Sequence, residues 1–349
     1  MSTSLETTAA PIDPGAPPAD LGPAPTGRPG RFRFDRYALI LGFIGIVVGF
    51  GVTEPSTFMS VGNLSNILGS QAVLFILVVA VLLPTIMGDF VDLSLGASLG
   101  LSAMTIAVLN VQHNVPIAFA CVCGVAVALV VGCVNAFFVV WFESNPFIIT
   151  LGTMTVVEGV TYIISANNTV GVISTGLSNW IFTNDFLSIP LEFYYGLAIF
   201  LVVWYVLSFT PLGQKALVTG QSREVARLSG IKVDKHRAWA FILGAGIAGL
   251  AGIAYAGTNG SVDPTAGGSL ILPAFAAVFL GATAVKPGRI NALGAFIAVY
   301  FLATGTAGLQ LAGLQAYYQD IFYGAALVAA LTIPKMTRDR LFHRRRAVA

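Results

Sequence analysis

Residues 93–142 read LSLGASLGLSAMTIAVLNVQHNVPIAFACVCGVAVALVVGCVNAFFVVWF and contain no Asp, Glu, Lys or Arg. A helix needs about 20 consecutive apolar residues to cross a hydrocarbon core of roughly 30 Å. The stretch is therefore long enough for two crossings, and Pro116, which follows His113 and Asn114, offers a turn between them. We predict two transmembrane helices here, joined by a short polar turn.

The whole chain has the same apolar character. Of its 349 residues, 56% are hydrophobic and 10% are charged, whereas soluble domains carry about 25% charged residues. A soluble enzyme, a disordered protein and a nucleic-acid-binding protein therefore fit this composition poorly. Three cysteines are too few for a disulfide framework.

Other charge-free intervals recur along the chain, and polar flanking residues extend the shorter ones. The predicted fold class is an all-α polytopic membrane protein with about ten transmembrane helices. Their predicted bounds are residues 37–53, 66–87, 93–110, 116–140, 146–165, 191–209, 238–257, 270–285, 290–308 and 317–334.

The placement of the basic residues predicts the orientation in the membrane. Cytoplasmic loops of membrane proteins carry an excess of Lys and Arg. With ten helices and a cytoplasmic N-terminus, all 18 Lys and Arg residues fall on the cytoplasmic side, in the two terminal segments, the loop 210–237 and the turn 286–289. Both termini are therefore predicted to be cytoplasmic. The charged residues of the outer loops are all acidic, namely Glu54, Asp185, Glu192, Asp263 and Asp320.

Three segments make up the predicted domain organisation. Residues 1–36 are predicted to form a disordered cytoplasmic tail, because residues 1–30 hold seven of the 17 prolines and no apolar run. A regulatory docking segment is the alternative for this tail. Residues 37–334 form the transmembrane domain with its cytoplasmic loop, and residues 335–349 form a basic cytoplasmic tail.

Three acidic residues interrupt otherwise apolar sequence. Ionisable residues within membrane segments are costly, which makes them candidates for a functional role. Asp89 and Asp92 lie at a break that Gly88 permits, and Asp92 can also cap the helix that follows. Glu158 lies in the middle of a predicted span. For Asp92 and Glu158, a place in a substrate pathway and a purely structural partner both remain open.

The loop 210–237 contains one segment with both helix-capping signals. Ser222 is a suitable N-cap, Glu224 lies in the first turn, and Gly230 is a suitable residue just beyond the C-terminus. Val225 and Leu228 share one face of this short helix. Because a helix of two turns is not stable alone in water, we predict that it docks, either into its own membrane bundle or into a partner.

Nucleotide-binding, metal-binding and catalytic sites are not predicted. Gly244–Gly249 formally matches a dinucleotide fingerprint, but it lies inside an apolar span, where small residues let helices approach closely. The histidines His113, His236 and His343 fall in separate segments, so no catalytic or metal-ligating set can be assembled. The sequence holds no G-x-x-x-x-G-K-[ST] motif, so any ATP that drives this chain must bind to another subunit.

Four blocks of sequence resemble the permease subunits of bacterial ATP-binding-cassette importers of the ribose and related monosaccharide type. The blocks are GDFVDLSLGAS (88–98), NPFIITLGTM (145–154), the cytoplasmic segment 213–231, and DPTAG (263–267) with residues 274–283. Asp89 stands where the family usually has Gly, and Glu158 where it tends to have a basic residue.

This resemblance implies the partners and the location. Two permease subunits, the same or different, would form the pathway in a bacterial cytoplasmic membrane. Two ATPase subunits would bind ATP and contact the short cytoplasmic helix, while the permease itself would bind no cofactor. An extracytoplasmic binding protein would deliver a sugar or polyol. Membrane lipid would surround the assembly, and no nucleic acid is expected.

The resemblance and the intramembrane acids together give two sets of candidate residues. The predicted substrate pathway comprises Asp89, Asp92, Ser94, Asn145, Phe147, Thr150, Thr153 and Glu158. The predicted ATPase-coupling helix comprises Ser222, Arg223, Glu224, Ala226, Arg227, Leu228 and Gly230.

Alternative functions remain open at this point. A branched-chain amino acid or nucleoside permease would share the fold. A proton-coupled secondary carrier, with Asp89, Asp92 or Glu158 as proton sites, would also fit ten spans without a nucleotide motif. A membrane-embedded enzyme is disfavoured, because no nucleophile, base and metal converge in the sequence.

Overall fold

The computed structural model describes residues 34–346, except residues 90, 184, 187, 287 and 316. The helices are α1 (Phe34–Thr53), α2 (Pro55–Phe58), α3 (Val61–Ser70), α4 (Ala72–Ile86), α5 (Ser94–Ala107), α6 (Ile117–Ala136), α7 (Pro146–Ile164), α8 (Thr175–Ser178), α9 (Leu191–Phe209), α10 (Pro211–Gln221), α11 (Arg223–Leu228), α12 (Val233–Asn259), α13 (Ala266–Gly281), α14 (Ala292–Leu311) and α15 (Tyr317–Arg346). Turns of π-helix cover Val108–Gln112, Phe137–Trp141 and Asn179–Thr183. The short strands are β1 (Val170–Gly171), β2 (Asp185–Phe186), β3 (Ile189–Pro190) and β4 (Ser261–Val262); β1 pairs with β4 and β2 with β3, both antiparallel.

Each predicted transmembrane segment coincides with helical structure. Within the described residues, two apolar helical segments, Leu39–Thr53 and Ala266–Gly281, are short. Seven segments there are long and apolar enough to cross a membrane: Val61–Ile86, Ser94–Gln112, Ile117–Trp141, Pro146–Ile164, Leu191–Phe209, Val233–Asn259 and Ala292–Leu311. The chain is therefore an all-α polytopic membrane protein, and the number of ten spans stays a prediction.

The predicted terminal tails fall mostly at the limits of the description. The N-terminal tail, residues 1–36, lies outside the described residues except where α1 begins at Phe34. At the other end, α15 continues to Arg346, beyond the predicted end at residue 334. Most of the predicted basic tail is therefore a continuation of the last helix.

The centre of the bundle is formed by α4, α5, α12 and α13. Helix α4 is buried along almost its whole length, and Phe75 within it is inaccessible to solvent. Small residues bring the other helices together. A Cβ on Gly267 would lie less than 3.0 Å from the Gly96 backbone, and a Cβ on Gly252 would lie less than 3.0 Å from the Leu99 backbone. The Gly-rich run of α12 therefore packs against neighbouring helices, as the sequence predicted.

Helices α6, α7 and α9 present apolar side chains outward. Phe119 and Trp141 at the two ends of the α6 span are exposed, as are Ile163 on α7 and Val202 on α9. In a membrane protein such a surface contacts lipid or another membrane subunit. These three helices form the periphery of the bundle.

Contacts between loops group those that lie between α4 and α13 at two ends of the bundle. At one end, the turn after α4 and the loop after α6 meet the segment from α10 to the start of α12, through contacts described below. At the other end, β1 pairs with β4 and the amide of Ser174 donates to Asn110 Oδ1 at 3.0 Å. The first end is the one that carries the basic loop, and we refer to the second as the outer end.

The basic loop is more ordered than the sequence indicated. It holds two helices, α10 and α11, where one short helix was predicted. Helix α12 then begins at Val233, ahead of the predicted start at residue 238. The earlier start brings Arg237 inside the helix, where it is almost fully buried.

Candidate functional site

The break between α4 and α5 places a carboxylate under the basic loop. Helix α4 ends at Ile86, and Gly88 adopts a φ of +84°, which glycine accommodates without strain. Asp89 follows, and its side chain has no exposed surface. Because a buried carboxylate is stable only when it is paired and hydrogen-bonded, its partners define this site.

Two arginines satisfy both carboxylate oxygens of Asp89. Arg237 of α12 donates from Nε to Oδ2 and from Nη2 to Oδ1, each at 2.8 Å. Arg223 donates from Nη2 to Oδ1 at 2.8 Å and to the Gly88 carbonyl at 3.4 Å. The Arg237 side chain is 5% exposed and that of Arg223 is 40% exposed. The side-on pair with Arg237 has the bidentate geometry that makes such contacts strong and directional.

Arg223 is the first residue of α11, so Asp89 also fixes this short helix. The Ser222 hydroxyl accepts from the Val225 amide at 3.3 Å and caps the N-terminus. At the other end, the amides of Gly230 and Ile231 donate to the carbonyls of Arg227 and Ala226, each at 3.0 Å. With Gly230 at a φ of +75°, this is a Schellman motif. The predicted caps are confirmed at both ends.

The outward side of α11 exposes two aliphatic side chains beside the charged residues Glu224 and Arg227. Leu228 is 90% exposed and Val225 is 54% exposed, whereas Ala226 between them is fully buried. Arg227 pairs at the surface with Asp234 at 3.2 Å and with Glu143 at 4.0 Å. The helix is therefore anchored on one face and presents two aliphatic side chains on another.

A second polar cluster lies just beyond Asp89, at the start of α5. Asp92 Oδ1 accepts from the Ser94 amide at 3.0 Å and from the Ser94 hydroxyl at 2.7 Å. Leu93 is the N-cap residue, so Asp92 caps α5 from one residue further out than predicted. Asn135 of α6 donates to the Ser94 hydroxyl at 2.6 Å. Asp92, Ser94 and Asn135 are all buried.

Thr150 ties the same segment to α7. Its hydroxyl accepts from the Leu93 amide at 3.2 Å and lies 3.4 Å from the Val91 carbonyl. Thr150 is fully buried. The structure thus brings together Asp92, Ser94 and Thr150 of the predicted pathway residues. Asp89 lies on the side of this cluster that faces the basic loop and contacts the loop arginines instead.

Comparison with known proteins gives the family of this architecture. Residues 63–331 match the family model described as the permease component of branched-chain amino acid transport systems. The match covers most of the chain, including all four blocks quoted above. The chain belongs to this permease family.

The curated relatives of the chain include permease proteins of sugar transport systems. The D-allose transport system permease protein of Escherichia coli is 29% identical over 87% of this chain and 92% of its own length. The ribose import permease protein of Bacillus subtilis is 31% identical over 87% and 95%, and the fructose import permease protein of Rhizobium meliloti is 28% identical over 84% and 83%. The resemblance to ribose-type permeases is confirmed, and the protein is a multi-pass inner-membrane transport subunit. No solved structure gives a significant match.

The remaining predicted pathway residues of the permease lie along α7. Asn145 is the N-cap, and its Oδ1 accepts from the Phe147 amide at 3.0 Å. Phe147 is exposed, whereas Thr153 and Glu158 are half-buried. A Cβ placed on Gly268, in the first turn of α13, would lie 3.2 Å from Glu158 Oε1. These residues are distributed along one helix and do not converge on the Asp92 cluster.

Three polar residues of the site were not found from the sequence. Asn135 is flanked by apolar residues and gave no signal apart from being an amide within a span. Arg237 was counted as a loop cation, and its pairing with Asp89 joins residues far apart in the chain. Glu192 was counted as an outer acid at the start of the predicted helix 191–209; it does lie in the first turn of α9, but its full burial was not predicted. The Thr258 hydroxyl donates to Glu192 Oε2.

The outer end carries one further acid with well-defined partners. Asp263 Oδ1 accepts from the Thr265 amide at 2.8 Å and from the Thr265 hydroxyl at 2.6 Å, and Oδ2 accepts from the Thr169 hydroxyl at 3.0 Å. These hydrogen bonds, chiefly that of the Thr265 hydroxyl, lower the pKa of the Asp263 carboxyl. The contact joins the loops that follow α7 and α12.

No group of three or more His, Cys, Asp or Glu side chains in the described part could hold a metal ion. The described residues of the site offer buried ion pairs and hydrogen bonds between helices. Such an arrangement positions helices relative to one another.

Proposed function

We propose that this permease is the membrane-spanning subunit of an importer for a sugar or polyol, driven by separate ATP-binding-cassette ATPase subunits. The observation that carries the proposal is α11. It is capped at both ends, anchored through Arg223 to a buried carboxylate, and exposes Val225 and Leu228. The names of the curated relatives agree with it.

Helix α11 has the properties of an element that fits into a groove on a partner. A helix of six residues does not persist alone in water, so its caps and its anchor hold it in place before any partner binds. An apolar face presented by a held helix is a recurrent mode of recognition. The ATPase is the partner we propose, because the sequence lacks a nucleotide-binding loop of its own.

The substrate class follows from the relatives, which import allose, ribose and fructose. We propose that the half-buried polar groups of α7, Thr153 and Glu158, contact the substrate along the pathway. Hydroxyl and carboxylate groups hydrogen-bond to the hydroxyls of a polyol. Asp89, Asp92, Ser94 and Thr150 would shape the cytoplasmic end of the same pathway.

The outward face of α7 also favours a second permease copy. Glu158 lies in the middle of an apolar span, and Gly152 and Gly159 on the same helix have open space beside them. Lipid leaves a polar group at this depth unsatisfied, whereas another subunit or a water-filled path does not. We propose that two permease subunits meet along this face, with a binding protein at their outer end.

We further propose ten spans with both termini in the cytoplasm. The ion pairs of Arg223, Arg227 and Arg237 draw the loops after α4 and α6 to the basic end, which the positive-inside rule assigns to the cytoplasm. Single cysteines at Asn168 and Ser229 in a background without Cys121, Cys123 and Cys133 test this. In intact spheroplasts, a membrane-impermeant maleimide should label the first and spare the second. Labelling of Ser229→Cys without permeabilisation would refute the topology.

Transport in inverted or reconstituted vesicles tests the function. The permease, its ATPase and its binding protein are reconstituted, and uptake of labelled ribose, allose and fructose is compared with that of leucine and adenosine. We expect sugar uptake that needs ATP, stops with vanadate and is unaffected by a protonophore. Uptake of leucine or adenosine without sugar uptake would show that the chain is an amino acid or nucleoside permease. Uptake without ATPase that collapses with the protonophore would establish a secondary carrier instead.

A further inference from the structure

The segment between α4 and α5, residues 88–94, is attached at its two ends to different parts of the molecule. We call it the break segment; residue 90 within it lies outside the described residues. At Asp89 it is bound by the basic loop, and at Leu93 and Ser94 it is bound by α7 and α6. Few residues therefore separate the helix that we assign to the ATPase from the helices that we assign to the pathway.

The attachment to the basic loop is stiff because it is buried and doubly paired. The single carboxylate of Asp89 receives Arg223 from the start of α11 and Arg237 from the second turn of α12. A displacement of α11 must either carry Asp89 with it or separate the carboxylate from Arg223, whose side chain is 40% exposed. The buried pair with Arg237 holds the same carboxylate to the start of α12, and breaking that pair would leave an uncompensated buried charge.

Backbone contact closes the same junction. A Cβ on Gly220, near the end of α10, would lie less than 3.0 Å from the Ile86 carbonyl oxygen. A Cβ on Gly88 would in turn lie 3.4 Å from Gly220 Cα. With no side chain between the two segments, the end of α10 rests directly on the end of α4, and packed contacts of this kind transmit displacement with little slack.

The attachment to the pathway helices is made by hydrogen bonds to backbone and side chains. Thr150 of α7 contacts the backbone of Val91 and Leu93, and Asn135 of α6 donates to Ser94. All of these polar side chains are buried. Because leaving a buried polar group unpaired costs free energy, these hydrogen bonds hold α6 and α7 to the break segment.

We propose that the break segment is the mechanical link between α11 and the pathway helices, and that Asp89 is its positioning residue. Movement of α11 on the ATPase would shift Asp89, and the segment would pass that shift to Ser94 and Thr150. Asp89 contacts no substrate in this role. The inference rests on the proposed function, since it needs an ATPase that moves α11.

The test compares Asp89→Asn with Asp89→Glu in the reconstituted importer. Uptake and hydrolysis are compared per assembled complex, and we expect uptake per complex to fall at least tenfold in Asp89→Asn. ATP hydrolysis should continue but no longer respond to the loaded binding protein. Asp89→Glu should restore a third or more of the uptake, because it restores the charge. If Asp89 had only a structural role, Asp89→Asn would lower the amount of assembled importer and its total ATP hydrolysis in the same proportion.

Matched variants keep the test decisive if Asp89→Asn fails to accumulate. Arg223→Ala leaves the buried pair of Asp89 with Arg237 intact and should lower uptake threefold to tenfold at unchanged hydrolysis. Lys235→Ala removes an exposed cation next to Arg237 and should leave uptake unchanged. Normal, stimulated uptake by Arg223→Ala would overturn the inference.

The outcome also separates this inference from the proposed function. If the wild-type permease shows no ATP-driven uptake of any kind, both are overturned. If it shows such uptake and the Asp89 and Arg223 variants match it in both uptake and stimulation, only the link through the break segment is wrong.

Discussion

Two fully buried acids, one at each end of the bundle, are treated in opposite ways by the fold. Asp89 has both oxygens hydrogen-bonded to arginines. Glu192 receives only the Thr258 hydroxyl, and its Oε1 has no hydrogen-bond partner among the described residues. The first site needs a negative charge, because its arginine partner is buried. The second offers nothing to balance one. The end with the basic loop is thus built around buried ion pairs of Asp89, whereas the acid at the outer end has no cation beside it.

The largest expected effect is the loss of the Asp89 charge. Asp89→Asn leaves Arg237 buried without a counter-ion, so the free energy of unfolding should fall by about 3–5 kcal/mol. Thermal unfolding in detergent micelles measures this. Asp234→Asn, which removes an exposed partner of Arg227, is the control and should cost about 1 kcal/mol or less. Equal losses in the two variants would remove the distinction between a buried and a surface ion pair.

The second comparison is between glycines beside the two acids. Gly220→Ala meets the Ile86 backbone, which cannot move aside, and should cost about 1–3 kcal/mol. Gly69→Ala meets side-chain atoms of Pro190 and Glu192 and should cost less. Gly159→Ala, in open space on α7, is the neutral control. We expect the lowest thermal stability for Gly220→Ala, a higher one for Gly69→Ala and the highest for Gly159→Ala. A lower stability of Gly69→Ala than of Gly220→Ala would contradict a tighter contact between Gly220 and Ile86.

The counterpart of Asp89→Asn at the outer end is Glu192→Gln. The amide keeps the shape and can still accept from Thr258, and no arginine loses a partner. We therefore expect the free energy of unfolding to change by less than about 1 kcal/mol, in either direction. A loss of unfolding free energy as large as that of Asp89→Asn would show that Glu192 is ionised and stabilised by a nearby positive charge.

The smallest effect is a pH dependence at Asp263. Its pKa is lowered below the ordinary 3.8 by the Thr265 and Thr169 hydrogen bonds. A carboxyl with a depressed folded-state pKa stabilises the fold above its unfolded pKa, and the stabilisation is lost as the pH falls through the folded value. Asp263→Asn should therefore melt slightly below the wild type at pH 7, and the difference should vanish as the pH falls through the lowered folded-state pKa of Asp263. A difference in melting temperature that persists in acid would show that the substitution acts through packing and not through the charge of Asp263.

The sequence predicted the parts of this fold that depend on local chemistry. The caps of α11 follow from the types of Ser222 and Gly230, and each predicted transmembrane segment coincides with helical structure because apolar length alone requires one. The early start of α12 was not predictable, because Arg237 can be buried there only through its pairing with Asp89. That pairing joins residues 148 positions apart.

The same limit applies to the polar cluster at α5. The contact of Asp92 with Ser94 is local and was anticipated as a cap. Asn135 and Thr150 reach the cluster through the packing of α6 and α7 against α5, which hydrophobic pattern does not specify. Glu192 was placed on the outer side, but its burial depends on α3, α12 and α14 closing around the first turn of α9.

Photo-crosslinking from Leu228 tests the central assignment most directly. A benzophenone amino acid in place of Leu228, the most exposed aliphatic residue of α11, is irradiated in membranes that hold the assembled importer. The account predicts one dominant adduct with the mass of the permease plus one ATPase subunit. Adducts with lipid alone, in membranes where the ATPase co-purifies with the permease, would contradict it.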